Sequence, residues 1–325
     1  MSTLLEPETD QVLGSDSMAD SVNQVRSDFA ACRVKFRWFG TTRTLTNAQK
    51  SQAAESFGAQ GKAISAAKRL IDTRNERYRA LTSIKSSISR YWKEASLAFP
   101  EPGIRLIRQD RVAEFDQSMG RYREDLASSV SQLDECFSDL KEAARLRLGS
   151  LYDAGDYPLS LADEFEVEWD FPNVNAPDYL RRLNPEVYQQ QARLVAERFE
   201  QTVVMAEEAF VQELDQLVGH LAERLSGDDD GKPKVFRDSS LTNLNTFFQR
   251  FRQLNVCSNQ QLDELVDQCE QMVSGVAPQS LRDNDSLRRS LSGHLEQVQG
   301  SLDQLMVERP RRNILRRPKR SNVEG

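Results

Sequence analysis

VAEFDQSMGRYREDLASSVSQLDECFSDLKEAARLRL, residues 112–148, decides the fold class. Val112, Phe115, Met119, Tyr122, Leu126, Val130, Leu133, Phe137, Leu140, Ala144 and Leu148 recur at steps of three and four, the period of one helix face. At 1.5 Å per residue this run is a rod of roughly 55 Å, and Gly149 is a suitable C-terminal stop. A second run of the same kind starts at Asn184-Pro185-Glu186, with Asn as cap, Pro at the first position and an acid in the first turn. Tyr188, Ala192, Val195, Phe199, Val203, Ala206, Phe210, Leu214, Leu217, Leu221 and Leu225 carry it to Ser226. Two long helices flanking an insertion at 150–183 predict an antiparallel coiled-coil hairpin.

Upstream, Ile64, Ala67, Ile71, Arg74, Tyr78, Leu81, Lys85, Ile88, Trp92 and Ala95 suggest a further seam within 46–98, with a break near Gly58 and Gly61. Pro100-Glu101-Pro102-Gly103 ends it, and 104–107 reads as a short strand. Downstream, 227–238 reads as a loop. Helices follow from Ser239 or Ser240 to about Leu254, from Ser258 to about Ser274, and from 283–285 onward with Leu287, Leu291, His294, Val298, Leu302 and Leu305 as its seam.

Two segments carry the other period. Val34, Phe36 and Trp38 alternate with Arg33, Lys35 and Arg37, and Phe165, Val167, Trp169 and Phe171 alternate with Glu164, Glu166, Glu168 and Asp170. A period of two predicts strands near 33–39 and 164–171, one with a basic polar face and one with an acidic face. Pairing them sets opposite charges across a ladder, worth about 0.2–1 kcal/mol per pair, and predicts a small sheet at one end of the helices. Gly40-Thr41-Thr42 then turns the chain toward a short strand near 43–45.

Composition fits this picture. The 325 residues are 38% hydrophobic and 29% charged, with 15 Gly and 11 Pro, the profile of extended helices with much surface per residue. Charge is unevenly spread: 1–28 holds six acids and one base, and 309–325 holds seven bases and one acid. The organisation expected is an acidic disordered head (1–28), a long-helix coiled-coil domain with the sheet (29–226), a C-terminal small helical bundle (227–308) and a basic disordered tail (309–325). The N-terminus lacks the basic and apolar regions of a signal peptide, and no apolar run is long enough to span a membrane. Cys32, Cys136, Cys257 and Cys269 are scattered, without the spacing of a zinc site. Free thiols in a cytoplasmic protein are expected.

Motifs for chemistry are wanting. The acidic strand spaces its carboxylates too widely for one metal ion. Asp228-Asp229-Asp230-Gly231 fails as a calcium loop because Arg237 occupies the position of the required Glu. His220 and His294 have no nucleophile or orienting acid nearby in sequence, and no glycine-rich nucleotide motif occurs. The reading is therefore no catalytic residue, no cofactor, no metal and no small-molecule substrate. Arg309, Arg311, Arg312, Arg316, Arg317, Lys319 and Arg320 remain as a contact for nucleic acid, for an acidic protein surface, or as a solubilising tail, without aromatic residues for base stacking.

Trp-Phe-Gly-Thr-Thr-Arg-Thr-Leu-Thr (38–46), Ala-Lys-Arg-Leu-Ile-Asp (67–72) and Phe-Pro-Glu-Pro-Gly-Ile-Arg-Leu-Ile (99–107), followed by a long helix, resemble a family of helical bacterial and phage proteins often encoded near MoxR-type AAA+ ATPases. The resemblance covers about a third of the chain. The family's Gly-Gly-rich segment has no counterpart here, and no functional residue carries over. The resemblance implies an accessory role beside an ATPase or within a mobile element. The expected function is a non-enzymatic scaffold or adaptor acting through coiled-coil protein contacts, with self or an ATPase as partner. The alternative is a nucleic-acid-associated accessory protein using the tail.

Overall fold

A computed structural model describes residues 10–226 and 238–308. It is mainly helical with a small antiparallel sheet. The chain divides into two compact units, one of Val22–Thr202 and one made by the rest.

The first unit is built on the sheet. β1 (Phe29–Arg37) pairs antiparallel with β5 (Ile104–Arg108) on one side and β6 (Glu166–Asp170) on the other, and β4 (Ser96–Ala98) flanks β5. The order β4-β5-β1-β6 leaves β6 at an edge. β4 and β5 form a hairpin whose turn is closed by Gly103 at φ +80°, a conformation that favours glycine. Alternation gives the sheet two faces. Cys32 and Val34 of β1, Ile107 of β5 and Val167 of β6 point into a core with α3 (Glu76–Glu94) and α4 (Val112–Glu135). Leu81, Ile88, Phe115, Met119 and Leu126 complete it. α3 and α4 run antiparallel: Tyr91 near the end of α3 stacks on Phe115 near the start of α4 at 5.6 Å, and Arg77 at the start of α3 bonds Gln132 O and Glu135. The other face is apolar at one end, where Phe29, Ala31, Leu97, Ile104 and Leu106 are buried, and charged at the other.

Several expectations need correction. Residues 10–28 of the head are a helix, α1, which leads straight into β1; Val22 and Val25, one turn apart, are buried. The seam drawn through 46–98 is not one helix. Its first part is α2 (Asn47–Glu55), closed at its start by a Thr46–Gln49 capping box, and a strand β3 (Ala67–Arg69) intervenes before α3. Gly58 takes φ +62° just after α2, and Asn75 caps α3 through the amides of Arg77 and Tyr78. β2 (Thr42–Thr44) pairs with β3, not with β1. The partner of α4 is α3 rather than the helix that starts at Pro185. The 112–148 run itself is helical, as α4 and α5 (Phe137–Leu148), interrupted at Cys136.

α6 (Asp178–Leu183) precedes α7 (Pro185–Ser226), whose first turn is capped by Asn184 through Val187 N–H at 3.2 Å. Within the sheet-bearing unit, Phe199 of α7 meets Phe99 edge-on at 5.7 Å. The second unit holds the remainder of α7 with α8 (Ser239–Leu254), α9 (Gln260–Val273), α10 (Pro278–Asp283) and α11 (Asp285–Glu308). Phe210 of α7 packs on Phe247 and Phe251 of α8, and Arg250 pairs with Glu213 beside them. The buried residues of α11 include Leu291, Leu295, Val298, Leu302 and Leu305; His294 is exposed, one position off that stripe.

Candidate interaction surface along the sheet edge

Register sets Arg33 opposite Asp170, Lys35 opposite Glu168 and Arg37 opposite Glu166. Arg33 grips Asp170 with two bonds, Nε to Oδ1 at 2.9 Å and Nη2 to Oδ2 at 2.6 Å, and Arg37 reaches Glu166 at 2.6 Å. Lys35 Nζ leans to Asp170 at 3.6 Å rather than to Glu168, which has no ion pair among the described residues. The hydrogen bond from Arg33 holds the Asp170 carboxyl below the usual carboxylate range, reinforced by the charges of Arg33 and Lys35. These side chains are around half exposed, so each pair contributes only up to about 1 kcal/mol. The ladder selects register more than it stabilises: a slip by one residue reverses every side chain. Glu164 precedes the strand and takes no part in the ladder. The seven tail bases, Arg309, Arg311, Arg312, Arg316, Arg317, Lys319 and Arg320, lie outside the described residues.

Sequence patterning did not reveal what lies beside the ladder. Because β6 is an edge strand, one row of its backbone groups pairs with β1 and the other has no backbone partner among the described residues. Two adjoining hollows of about 520 and 330 Å³ run along β6 and α4 and share Arg123, Glu166 and Val167. In the middle, Trp169 Nε1 donates to Asp116 Oδ1 at 2.8 Å, and the Arg123 guanidinium sits 5.1 Å over the Trp169 ring. At one end Asp134 accepts from Ser160 Oγ and Leu161 N–H at 2.9 and 2.7 Å, fixing the loop before β6. The exposed Ala127 leaves the α4 wall low between Arg123 and Ser131. The alternation at 164–171 was the signal for the strand; its edge position depends on partners far away in sequence.

Elsewhere, a hollow of about 500 Å³ between α9 and α11 is lined by Gln268, Gln271, Met272, His294, Gln297, Val298 and Ser301, without an Asp, Glu, Lys or Arg side chain. Among the described residues no three His, Cys, Asp or Glu side chains are grouped to hold a metal ion, and no helix is long and apolar enough to cross a membrane. The four cysteines are free; burial pushes the thiols of Cys32 and Cys269 up to about 12, far from the range of a nucleophile. No family model, curated protein or solved structure matches the chain.

Proposed function

We propose that this chain is a non-enzymatic adaptor that captures an extended segment of a partner protein along β6. The observation that carries the reading is an edge strand beside a ready groove. A strand laid against β6 would satisfy its free backbone row, and alternate side chains would drop between β6 and α4. A charged edge alone is a common defence against unwanted pairing; the adjoining groove with its fixed Trp169–Asp116–Arg123 cluster favours capture of a strand. In this reading the long helices are the frame, with the C-terminal helices as a bundle. A coiled-coil docking mode has less support, since the apolar seams of α4 and α7 are largely buried within the chain. The first partner to test is a MoxR-type AAA+ ATPase, the association that the resemblance implies.

The test is selection of extended 12-residue peptides from a display library on the full chain, repeated on Ala127→Trp. Ala127 is exposed, so a tryptophan there fills the groove without disturbing the core. Peptides that bind the parent and are lost on the variant, and that slow amide exchange at 166–170, support the reading. Equal binding to both proteins, or protection elsewhere, overturns it.

A further inference from the structure

Charge in the sheet-bearing unit is segregated along the chain. Residues 29–111 hold seventeen bases and six acids, a net +11, whereas 112–202 hold nine bases and nineteen acids, a net −10. Much of this is neutralised by pairs that join one stretch to the other: Arg33–Asp170, Arg37–Glu166, Lys68–Asp156 and Arg77–Glu135. The solvent side of α3 is left out. Arg79, Lys85, Arg90 and Lys93 have no carboxylate partner among the described residues. At 100° per residue, Arg79, Ser83, Ser86, Arg90 and Lys93 share one face, and all five are exposed. Lys85 lies about a third of a turn from the centre of that face, half-buried and held in place with its Nζ 4.5 Å from the Trp38 ring and 5.2 Å from the Phe36 ring. Lys85, Ser86, Ser89, Arg90, Lys93 and Glu94 line a shallow hollow of about 530 Å³.

We infer that this face of α3 binds the phosphate backbone of nucleic acid. Arg79 to Lys93 spans fourteen helical steps, roughly 21 Å, the length of about six nucleotides of one strand at 3.4 Å each. Cations with intervening hydroxyls along a line match a linear polyanion. An acidic protein partner is disfavoured because the face presents no aromatic side chain to fill a partner's pocket beside its arginines. A membrane surface is disfavoured because the apolar side of α3, with Tyr78, Leu81 and Ile88, is buried in the core and has nothing to insert. Glu76 and Glu94 flank the face and set an internal check: removing Glu94 should tighten binding.

The experiment is fluorescence polarisation of a labelled 20-base-pair duplex with the full chain over 50–200 mM salt. Four phosphate contacts predict a log–log salt slope of about −3.6, or about 150-fold weaker binding across that range. Arg90→Gln with Lys93→Gln should weaken binding at 50 mM salt and halve the slope to about −1.8, leaving about a 12-fold loss. Glu94→Gln should strengthen it, and Arg316→Gln with Arg317→Gln in the tail should leave both affinity and slope unchanged. Because Arg90, Lys93 and Glu94 are exposed, far-UV circular dichroism should be unaltered in these variants, which separates lost contact from lost fold. The inference is overturned by absence of duplex binding at 50 mM salt, by an unchanged slope in the α3 variant, by loss of binding confined to the tail variant, or by binding only to phosphatidylserine vesicles.

Discussion

Asp156→Ala tests whether the β2–β3 pair is anchored by a buried ion pair. Lys68, in the middle of β3, is only 7% exposed; its Nζ sits 2.6 Å from Asp156 Oδ2 and donates to Leu151 O at 2.7 Å. Arg43, opposite Lys68 in register, adds a longer contact to Asp156 at 3.9 Å. Removing the carboxylate leaves a buried ammonium with one carbonyl acceptor, a change that costs about 3–5 kcal/mol when the pair is fully buried. The Asp156 side chain is 19% exposed, so the low end, about 3 kcal/mol, is expected. Lys68→Met keeps the stem and leaves Asp156 with water and Arg43, so about 1–2 kcal/mol is expected. The double variant should be no worse than Asp156→Ala alone, giving a coupling energy of at least about 1 kcal/mol. Urea unfolding followed by tryptophan fluorescence is the assay, because Trp38, Trp92 and Trp169 all lie in Val22–Thr202. Asp156→Ala should lower the melting temperature by about 10 °C. A loss below about 0.5 kcal/mol for Asp156→Ala, or strict additivity in the double variant, refutes the reasoning.

Cys257 takes φ +51°, the only non-glycine residue to do so among those described; Cys257→Gly should stabilise by about 1 kcal/mol in calorimetry, since the left-handed penalty is removed. Asp215 is raised by burial and by the nearby Asp303, and its Oδ1 is buried without a hydrogen-bond donor; Asp215→Asn should gain about 1 kcal/mol at pH 7 in chemical denaturation, with the gain shrinking as pH falls and the carboxyl protonates. Cys32 and Cys269 stay protonated in the fold up to about 12 but ionise near 9 when unfolded, so the unfolded chain releases protons first. The thiols' contribution to stability should therefore be level below about pH 9 and fall above it by up to about 1.4 kcal/mol per pH unit for each thiol, a slope that Cys32→Ala and Cys269→Ala should each reduce. In the native state at pH 8 a thiol reagent should modify the exposed Cys257 first and the other two only on unfolding.

Periodicity found what depends on neighbours in sequence. The 112–148 helix and the helix from Pro185 were legible because their apolar steps persist over many turns, and the strand alternations at Arg33–Arg37 and Glu166–Asp170 because acidic and basic positions marked the polar face. The 46–98 stretch misled: Ile64, Ala67 and Ile71 keep a helical step by coincidence, whereas Leu70 and Ile71 are both fully buried side by side, which a one-faced helix does not do. α1 was missed because its acidic composition outweighed two apolar positions, Val22 and Val25, that matter only once β1 follows. The groove beside β6 and the unpaired face of α3 arise from which elements meet, information that no local pattern carries.

The middle position of β1 also sets a clock. Arg33 and Asp170 are 137 residues apart, so at about 5–20 residues per second the ribosome needs roughly 7–27 s to deliver the partner of a strand already made. Once residues 29–111 are made the newborn segment carries its excess of positive charge, and the acids of 112–170 that balance it emerge only over the rest of that interval. A cell making this protein must keep that half-built polycation away from ribosomal RNA, so slowing synthesis before Asp170 should raise losses to aggregation and proteolysis far more than slowing it afterwards.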